Sequence, residues 1–261
     1  MNNVNKTLYI TLYGKAYVSS RGLFLDDRKA EEIWAAEGFP LKGKSRSKWL
    51  AFFMGIRSRV FDDWTRQQMA EHPDAPVIHL GCGMDSRCLR LDPGDHSWYD
   101  VDFPEVLAER KRYYTESGSY RMIPGDIRDP QWLEAIPPSR TAIVLMEGIS
   151  MYLTPEELKT ALGNLCCRFD RVCVLMDCYS SLAAKMSRYR NPINDVGVTE
   201  VYGMDDPTVL DLESFSFFRE HAITPQYCID QLDGMEKRIF SKLYAGSFAK
   251  KLYRLFEYRK G

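Results

Sequence analysis

The order of apolar and polar positions divides the chain in two. Over the first 75 residues, apolar side chains recur at helical spacing. KTLYITLYGKAYVSS is one amphipathic segment and DDRKAEEIWAAEG a second. SKWLAFFMGIRSRVFDDWTRQQMAEH is a third, halted by Pro73. The second segment opens in acids and closes on Gly38, as the helix dipole and the glycine C-cap favour. Beyond Pro73, short apolar runs alternate with helical stretches. Strands are predicted at 77–80, 97–101, 120–123, 141–146, 171–177, 224–229 and 252–258. Helices are predicted around 86–90, 104–117, 130–135, 155–168, 211–221 and 234–249. This alternation predicts an α/β fold, with a mostly parallel, doubly wound sheet covered by helices on both faces. A helical unit over 1–75 precedes a core over 76–261. The polar, Gly- and Pro-punctuated segment 180–208 follows the fifth strand, where such folds gather substrate loops.

Two stretches carry chemistry: VIHLGCGMDSRCLRL at 77–91 and WYDVDFP at 98–104. A short apolar strand runs into a turn at Gly81 and Gly83, which leaves backbone open to a ligand. Asp102 ends the next strand 21 residues after Gly81, the spacing at which an acid meets ribose hydroxyls. An adenosine-type cofactor is implied. A dinucleotide loop needs a third glycine, and Ser86 stands there. Asp85 also places negative charge where a pyrophosphate would sit at the helix N-terminus. S-adenosylmethionine has no phosphate and carries an ammonium and a sulfonium, so it suits an acidic loop where a nicotinamide or flavin dinucleotide does not. Taken alone, GxG is also compatible with a strand–turn–helix that binds nothing. Asp100 shares a strand face with Asp102 by the two-residue period and is its rival.

Composition narrows the partners. Lys and Arg number 35 against 36 Asp and Glu, for a net charge of −1, so the bulk basic field of a nucleic-acid binder is absent. No apolar run reaches the length of a membrane span, and the N-terminus lacks a signal-peptide core. A cytoplasmic protein with a small-molecule partner is expected, with neither nucleic acid nor membrane. The seven cysteines form no CxxC pair, and Cys166, Cys167 and Cys173 read as core thiols. The four histidines, His72, His79, His96 and His221, have no ligand spacing, so no metal is expected. The aromatic residues at 49–64 read as helix packing.

LYGKAYVSS, the helix around Arg57, VIHLGCGMDSR, WYDVDFPEVLAERK, GDIRD, MEGISMYLTPEEL and a closing RLFEY strand, in this order, resemble the leucine carboxyl methyltransferase family. The bacterial branch, similar to polyketide carboxyl O-methyltransferases, is the nearer match. The resemblance implies a seven-stranded Rossmann-like sheet and an α-helical N-terminal lid. It implies that Gly81, Cys82 and Gly83 run along the methionine part of S-adenosylmethionine and that Asp102 takes the ribose hydroxyls. Asp126 would accept from the adenine amino group, with the Ile127 backbone N–H on the ring. Glu147 would meet the ammonium and Arg57 the cofactor carboxylate. Lys15 would face that carboxylate or the acceptor.

Tyr152, in EGISMYL, is a candidate wall of the acceptor pocket. Arg188 and Tyr202, in the polar segment, are candidates to hold an anionic acceptor. Two departures stand out: Cys88 and Leu89 replace aromatics found in many relatives, and 180–208 matches only loosely. The implied activity is an S-adenosylmethionine-dependent O-methyltransferase forming a methyl ester on a small-molecule carboxylate. Carboxylates titrate near ~4, so no general base is required and no catalytic residue is named. Alternatives are a phenol or hydroxyl acceptor, a protein C-terminal carboxylate, and a silent cofactor-binding module.

Overall fold

The computed structural model describes residues 7–37, 41, 43–190 and 200–261, without the side chains of 188–190. Three helices come first: α1 (Leu8–Ser19), α2 (Arg28–Glu37) and α3 (Lys48–Glu71). The alternating region follows as β1 (Val77–Leu80), α4 (Arg87–Arg90), β2 (Trp98–Asp102), α5 (Pro104–Arg110), β3 (Tyr120–Pro124) and β4 (Thr141–Met146). Then come α6 (Pro155–Arg168), β5 (Arg171–Tyr179), α7 (Ser181–Arg190), β6 (Phe215–His221), α8 (Gln226–Ile229), α9 (Gly234–Leu243), α10 (Ala249–Leu252) and β7 (Tyr253–Lys260).

The seven strands form one sheet in the order β3-β2-β1-β4-β5-β7-β6. β1 to β5 run parallel, and β7 lies antiparallel between β5 and β6. This is the α/β architecture expected, with helices on both faces. Ile78 and Leu80 of β1 pack with Val101, Val144, Met146 and the α6 residues Leu158 and Leu162. Val77 faces the other way, with Ile143, Leu145 and the N-terminal residues Leu12, Phe61 and Trp64. Burial on both faces explains why three of the four β1 residues are apolar. α6 starts at a capping box of Thr154 and Glu157 with Pro155 in its first turn, which fixes the chain direction after β4. A third cluster joins Val18, Phe52 and Ile56 to Ile229, Leu232 and Phe240, so the C-terminal helices brace the N-terminal ones. No described helix is long and apolar enough to cross a membrane.

Two elements exchange type relative to expectation. Residues 224–229, read as a strand, contain α8: Pro225 is its extended N-cap, and one helical turn buries Cys228 and Ile229. Residues 211–221, read as helical, contain β6. This is an edge strand with mostly exposed side chains and a register shift between Phe217 and Arg219. Its apolar alternation is therefore weak, and pairing with β7 decides its state. The helix predicted over 104–117 ends at Arg110, and that predicted over 234–249 is split into α9 and α10. The segment 180–208 opens with a helix, α7.

Candidate active site

β1 has β2 on one side and β4 on the other, so the chain leaves the sheet in opposite directions at their carboxyl ends. That switch point opens a crevice. Gly81 has φ +64°, and a Cβ there would lie 2.2 Å from Ile149 Cγ2, so the turn tolerates no side chain. A cavity of about 290 Å³ follows, walled by Gly81, Cys82, Asp102, Asp126, Ile127 and Glu147, and by Lys15 and Arg57 from the helical unit. Eight residues nominated from sequence thus converge on one space. Gly83 does not line it. Its N–H donates to Asp102 Oδ2 at 2.7 Å, so the glycine orients the acid rather than facing a ligand.

Asp102 and Asp100 separate cleanly. Asp102 Oδ1 accepts from the Phe103 N–H at 2.8 Å, and burial pushes its carboxyl up to about 6 despite these two amides. Asp100 lies one rung deeper and does not line this cavity. It accepts from Trp98 Nε1 at 2.9 Å and Tyr120 Oη at 2.7 Å, and pairs with Arg110. Arg110 in turn donates to Gly83 O at 3.0 Å. Asp100 therefore supports the glycine turn from below, while Asp102 faces the space above it.

Asp85 explains the preference against a pyrophosphate. Its Oδ1 accepts the Arg87 N–H at 2.7 Å, filling the start of α4, and its other oxygen pairs with Lys15 of α1. Arg90 stands 3.4 Å away. Burial opposes ionisation of Asp85, but Arg87, Lys15 and Arg90 outweigh it and hold the carboxyl well below the usual range. Glu147 is held the same way. Arg57 Nε lies 3.2 Å from Oε1, Arg87 Nη2 2.5 Å from Oε2, and Lys15 Nζ 3.9 Å away. Against burial, these cations bring its carboxyl down to about 2.

Arg57 reaches further, to Asp177 Oδ2 at 3.0 Å and Tyr253 Oη at 2.7 Å. Tyr253 Oη donates to Asp177 at 2.6 Å, and the Gly148 N–H donates to Asp177 Oδ1 at 2.7 Å. Asp62 and Asp27 complete the cluster through Arg87 and Arg90. Lys15, Arg57, Arg87 and Arg90 are thus set against Asp27, Asp62, Asp85, Glu147 and Asp177, one negative charge in excess. Asp102, outside this cluster, adds another carboxylate to the cavity, and an acid-rich site suits S-adenosylmethionine, which carries one net positive charge. The tight Gly81 turn and the apolar walls from Leu80, Val101, Val106 and Ile127 fit a nucleoside.

A second cavity of about 360 Å³ shares Thr7, Thr11, Arg57, Gly148 and Tyr152 with the first. Phe53, Met54, Met151, Tyr179, Met186 and Tyr253 give it an apolar, aromatic wall. The Phe53 and Tyr253 rings stack at 5.6 Å, and Tyr179 meets Tyr253 edge-on at 4.9 Å. Tyr152 lies on this wall, as expected. Tyr202 does not: it is 37% exposed and lines neither cavity, and only its backbone N–H is tied in, to Met151 O at 2.8 Å. The side chain of Arg188 lies outside the described residues. Among the described residues, no group of three or more His, Cys, Asp or Glu side chains is placed to hold a metal ion.

Two further residues, Arg128 and Asp177, shape the site. Asp126 is gripped by Arg128 (Nε–Oδ1 2.9 Å, Nη2–Oδ2 2.5 Å), whose hydrogen bonds hold its carboxyl below the usual range. Arg128 was visible in GDIRD, but i+2 pairing in a turn has no periodic signature. Asp177 is an acid within the otherwise apolar β5, and it reaches Arg57 from there.

A profile of the leucine carboxyl methyltransferase family matches residues 5–166. The chain belongs to the leucine carboxyl methyltransferase family. It is 30% identical to the tetracenomycin polyketide synthesis O-methyltransferase TcmP of Streptomyces glaucescens over 213 residues, covering 81% of this chain and 79% of that one. It is also 30% identical to the S-adenosyl-L-methionine-dependent methyltransferase dpfgK of Gibberella zeae, over 81% of this chain and 78% of the relative. Among solved structures, magnesium protoporphyrin IX methyltransferase of Synechocystis with bound S-adenosylhomocysteine aligns over 97% of this chain and all of its own. The TM-score is 0.51 at 13% identity, a likeness of fold. The chain is an S-adenosylmethionine-dependent methyltransferase of this family, and the acid-rich cavity at the β1–β4 switch point is where its residues fit that cofactor.

Proposed function

We propose that this family member transfers methyl to a carboxylate oxygen of a small, largely apolar acceptor and forms a methyl ester. One observation carries the reading. Among the described residues lining the second cavity, Arg57 is charged and no His, Asp, Glu or Lys is present. A phenol or alcohol would want a base at that wall, whereas a carboxylate arrives ionised. The relative named for polyketide synthesis supports an acceptor of polyketide type.

When bound, S-adenosylmethionine supplies an electrophilic methyl group on its sulfonium. Asp102 offers a carboxylate to the two ribose hydroxyls, an acceptor matched to two donors. Asp126 and Ile127 face the adenine side of the space, and Glu147 and Asp85 its cationic side. Arg57 lines both cavities, and Glu147 and Asp177 already balance its charge. It can orient an acceptor carboxylate without trapping it in a tight ion pair. Apolar walls and the helical unit, acting as a lid through Thr7, Thr11 and Lys15, exclude water, and a carboxylate stripped of water attacks more readily. The seven cysteines are all free thiols, which suits work in the reducing cytoplasm.

A second reading, methylation of a phenol, rests on Tyr253 Oη at 2.6 Å from Asp177, a relay able to take a proton. The two are separated by offering the enzyme aromatic carboxylic acids and matched phenols. The expected product releases methanol in mild alkali. An alkali-stable methyl ether would replace the carboxylate reading with the phenol one.

A further inference from the structure

Among the described residues, the large apolar side chains most open to solvent are Met235 (75% exposed), Leu243 (62%) and Phe248 (59%). Met235 and Leu243 belong to α9, and Phe248 is the N-cap of α10. The α9 residues Met235, Arg238, Ile239, Lys242 and Leu243 follow the i, i+3, i+4, i+7, i+8 spacing, so they share one helix face. Phe240 points the other way and is buried with Val18 and Phe52. The outward stripe therefore mixes apolar and basic side chains.

Charge is concentrated on the same stretch. Residues 234–252 hold five cations and one acid, in a chain whose net charge is −1. The acid, Glu236, is turned to Arg21 and Lys48, and Lys237 is tied to Asp230. Arg238, Lys242, Lys250 and Lys251 have no ionic partner among the described residues. The expectation of no membrane partner rests on the chain-wide charge and on the lack of a spanning segment, and neither bears on contact at a surface.

Exposed apolar side chains gain by leaving water, and a patch of them marks a contact surface. α9 lines neither cavity, and its outer face is convex. A nucleic acid would satisfy the cations and leave Met235, Leu243 and Phe248 in water. An acidic protein would have to supply an apolar groove for them. A bilayer takes both at once: apolar tips enter the acyl boundary while long basic side chains reach the headgroup phosphates.

We infer that the α9–α10 face docks on an anionic phospholipid surface. Leu252, which ends α10, and the half-exposed Met186 of α7 both line the second cavity. An apolar acceptor held in the membrane would thus enter beside the docked face. That last step rests on the second cavity being the acceptor site. The docking does not, and its test uses no acceptor, so the two readings fail separately.

The full chain is sedimented with vesicles of phosphatidylcholine alone and of an equal mixture of phosphatidylcholine and phosphatidylglycerol. The mixed vesicles should carry the protein down, the neutral ones should not, and added salt should release it. Leu243→Glu and Lys242→Glu should each weaken binding about tenfold, while S-adenosylhomocysteine affinity by calorimetry stays within about twofold. Binding to neither vesicle, equal binding to both, or binding that neither substitution moves overturns the assignment. Polyglutamate, an acidic polymer with no apolar layer, should not compete with the mixed vesicles. Full competition also overturns the assignment, in favour of an acidic protein.

Discussion

Lys15 and Asp85, 70 residues apart, form a buried ion pair that fastens α1 to the turn after β1. The lysine belongs to the helical unit and the aspartate to the turn that follows β1, so one contact ties the two together. Lys15→Ala leaves Asp85 with Arg87 at 3.6 Å and Arg90 at 3.4 Å. The loss should therefore fall below the ~3–5 kcal/mol typical of breaking a buried pair. A fall in Tm of several degrees is expected, together with faster proteolysis within α1. Unchanged melting and digestion would show that the pair fastens nothing.

Asp102→Ala and Asp100→Ala should have opposite signatures. The first removes a cavity-facing acceptor. S-adenosylhomocysteine affinity should drop at least about tenfold, at roughly 1.5–3 kcal/mol per charge-assisted bond, with the melting temperature held or raised. The second leaves Arg110 buried without its carboxylate and should destabilise by about 3–5 kcal/mol. Calorimetry and thermal melting on both variants decide this.

Cofactor affinity should depend on pH through Asp102. Burial raises its carboxyl to about 6 in the ligand-free protein, above its value in the unfolded chain. Ionisation in the fold therefore costs stability, a penalty that develops above the unfolded value and is complete above pH 6. Ribose hydroxyls need the ionised form. Binding should weaken as pH falls below 6, approaching tenfold per unit, and should release protons near pH 6. Asp102→Asn should bind weakly with a flat profile. Glu147 works in the opposite sense. Its folded value near 2 lies below its ordinary 4.5, so its stabilisation is full above the unfolded value and is lost as pH falls toward 2. Acid unfolding should show this loss, and it should be absent in Glu147→Gln.

Tyr253→Phe deletes the hydroxyl between Arg57 and Asp177 while keeping the ring that stacks on Phe53. Tyr253 lines the second cavity and not the first. S-adenosylhomocysteine affinity should stay within about twofold, while kcat/KM for the acceptor falls roughly tenfold, the scale of one lost hydrogen bond. A fall in cofactor affinity instead would mean that the hydroxyl serves the first cavity.

What could be read from the sequence followed the range of the forces involved. β1, the Gly81 turn and Asp102 lie within one βαβ unit, and period and spacing specify them locally. Glu147, at the end of an apolar strand, came with the family resemblance rather than from period or spacing. Asp177 and Tyr253 reach Arg57 from β5 and β7, and no local pattern announces such meetings. β6 and α8 were exchanged because an edge strand hides little apolar surface and a one-turn helix has no period to display. Tyr202 was nominated by segment rather than by side-chain direction, and the structure turns it outward.

Arg57 gathers partners that lie 90, 120 and 196 residues away in the chain. Such contacts close large loops and form late, after the local helices and hairpins. Until they form, a guanidinium sits in a consolidating interior without its counter-charges, which is unfavourable. A strand that docks one residue out of register would present Met176 or Cys178 where Asp177 belongs, and Leu252 or Arg254 where Tyr253 belongs. Correct register is thus what brings Arg57 its counter-charges. In native-state hydrogen exchange, the amides of β5 and β7 around Asp177 and Tyr253 should open together with the Arg57 helix as one cooperative unit.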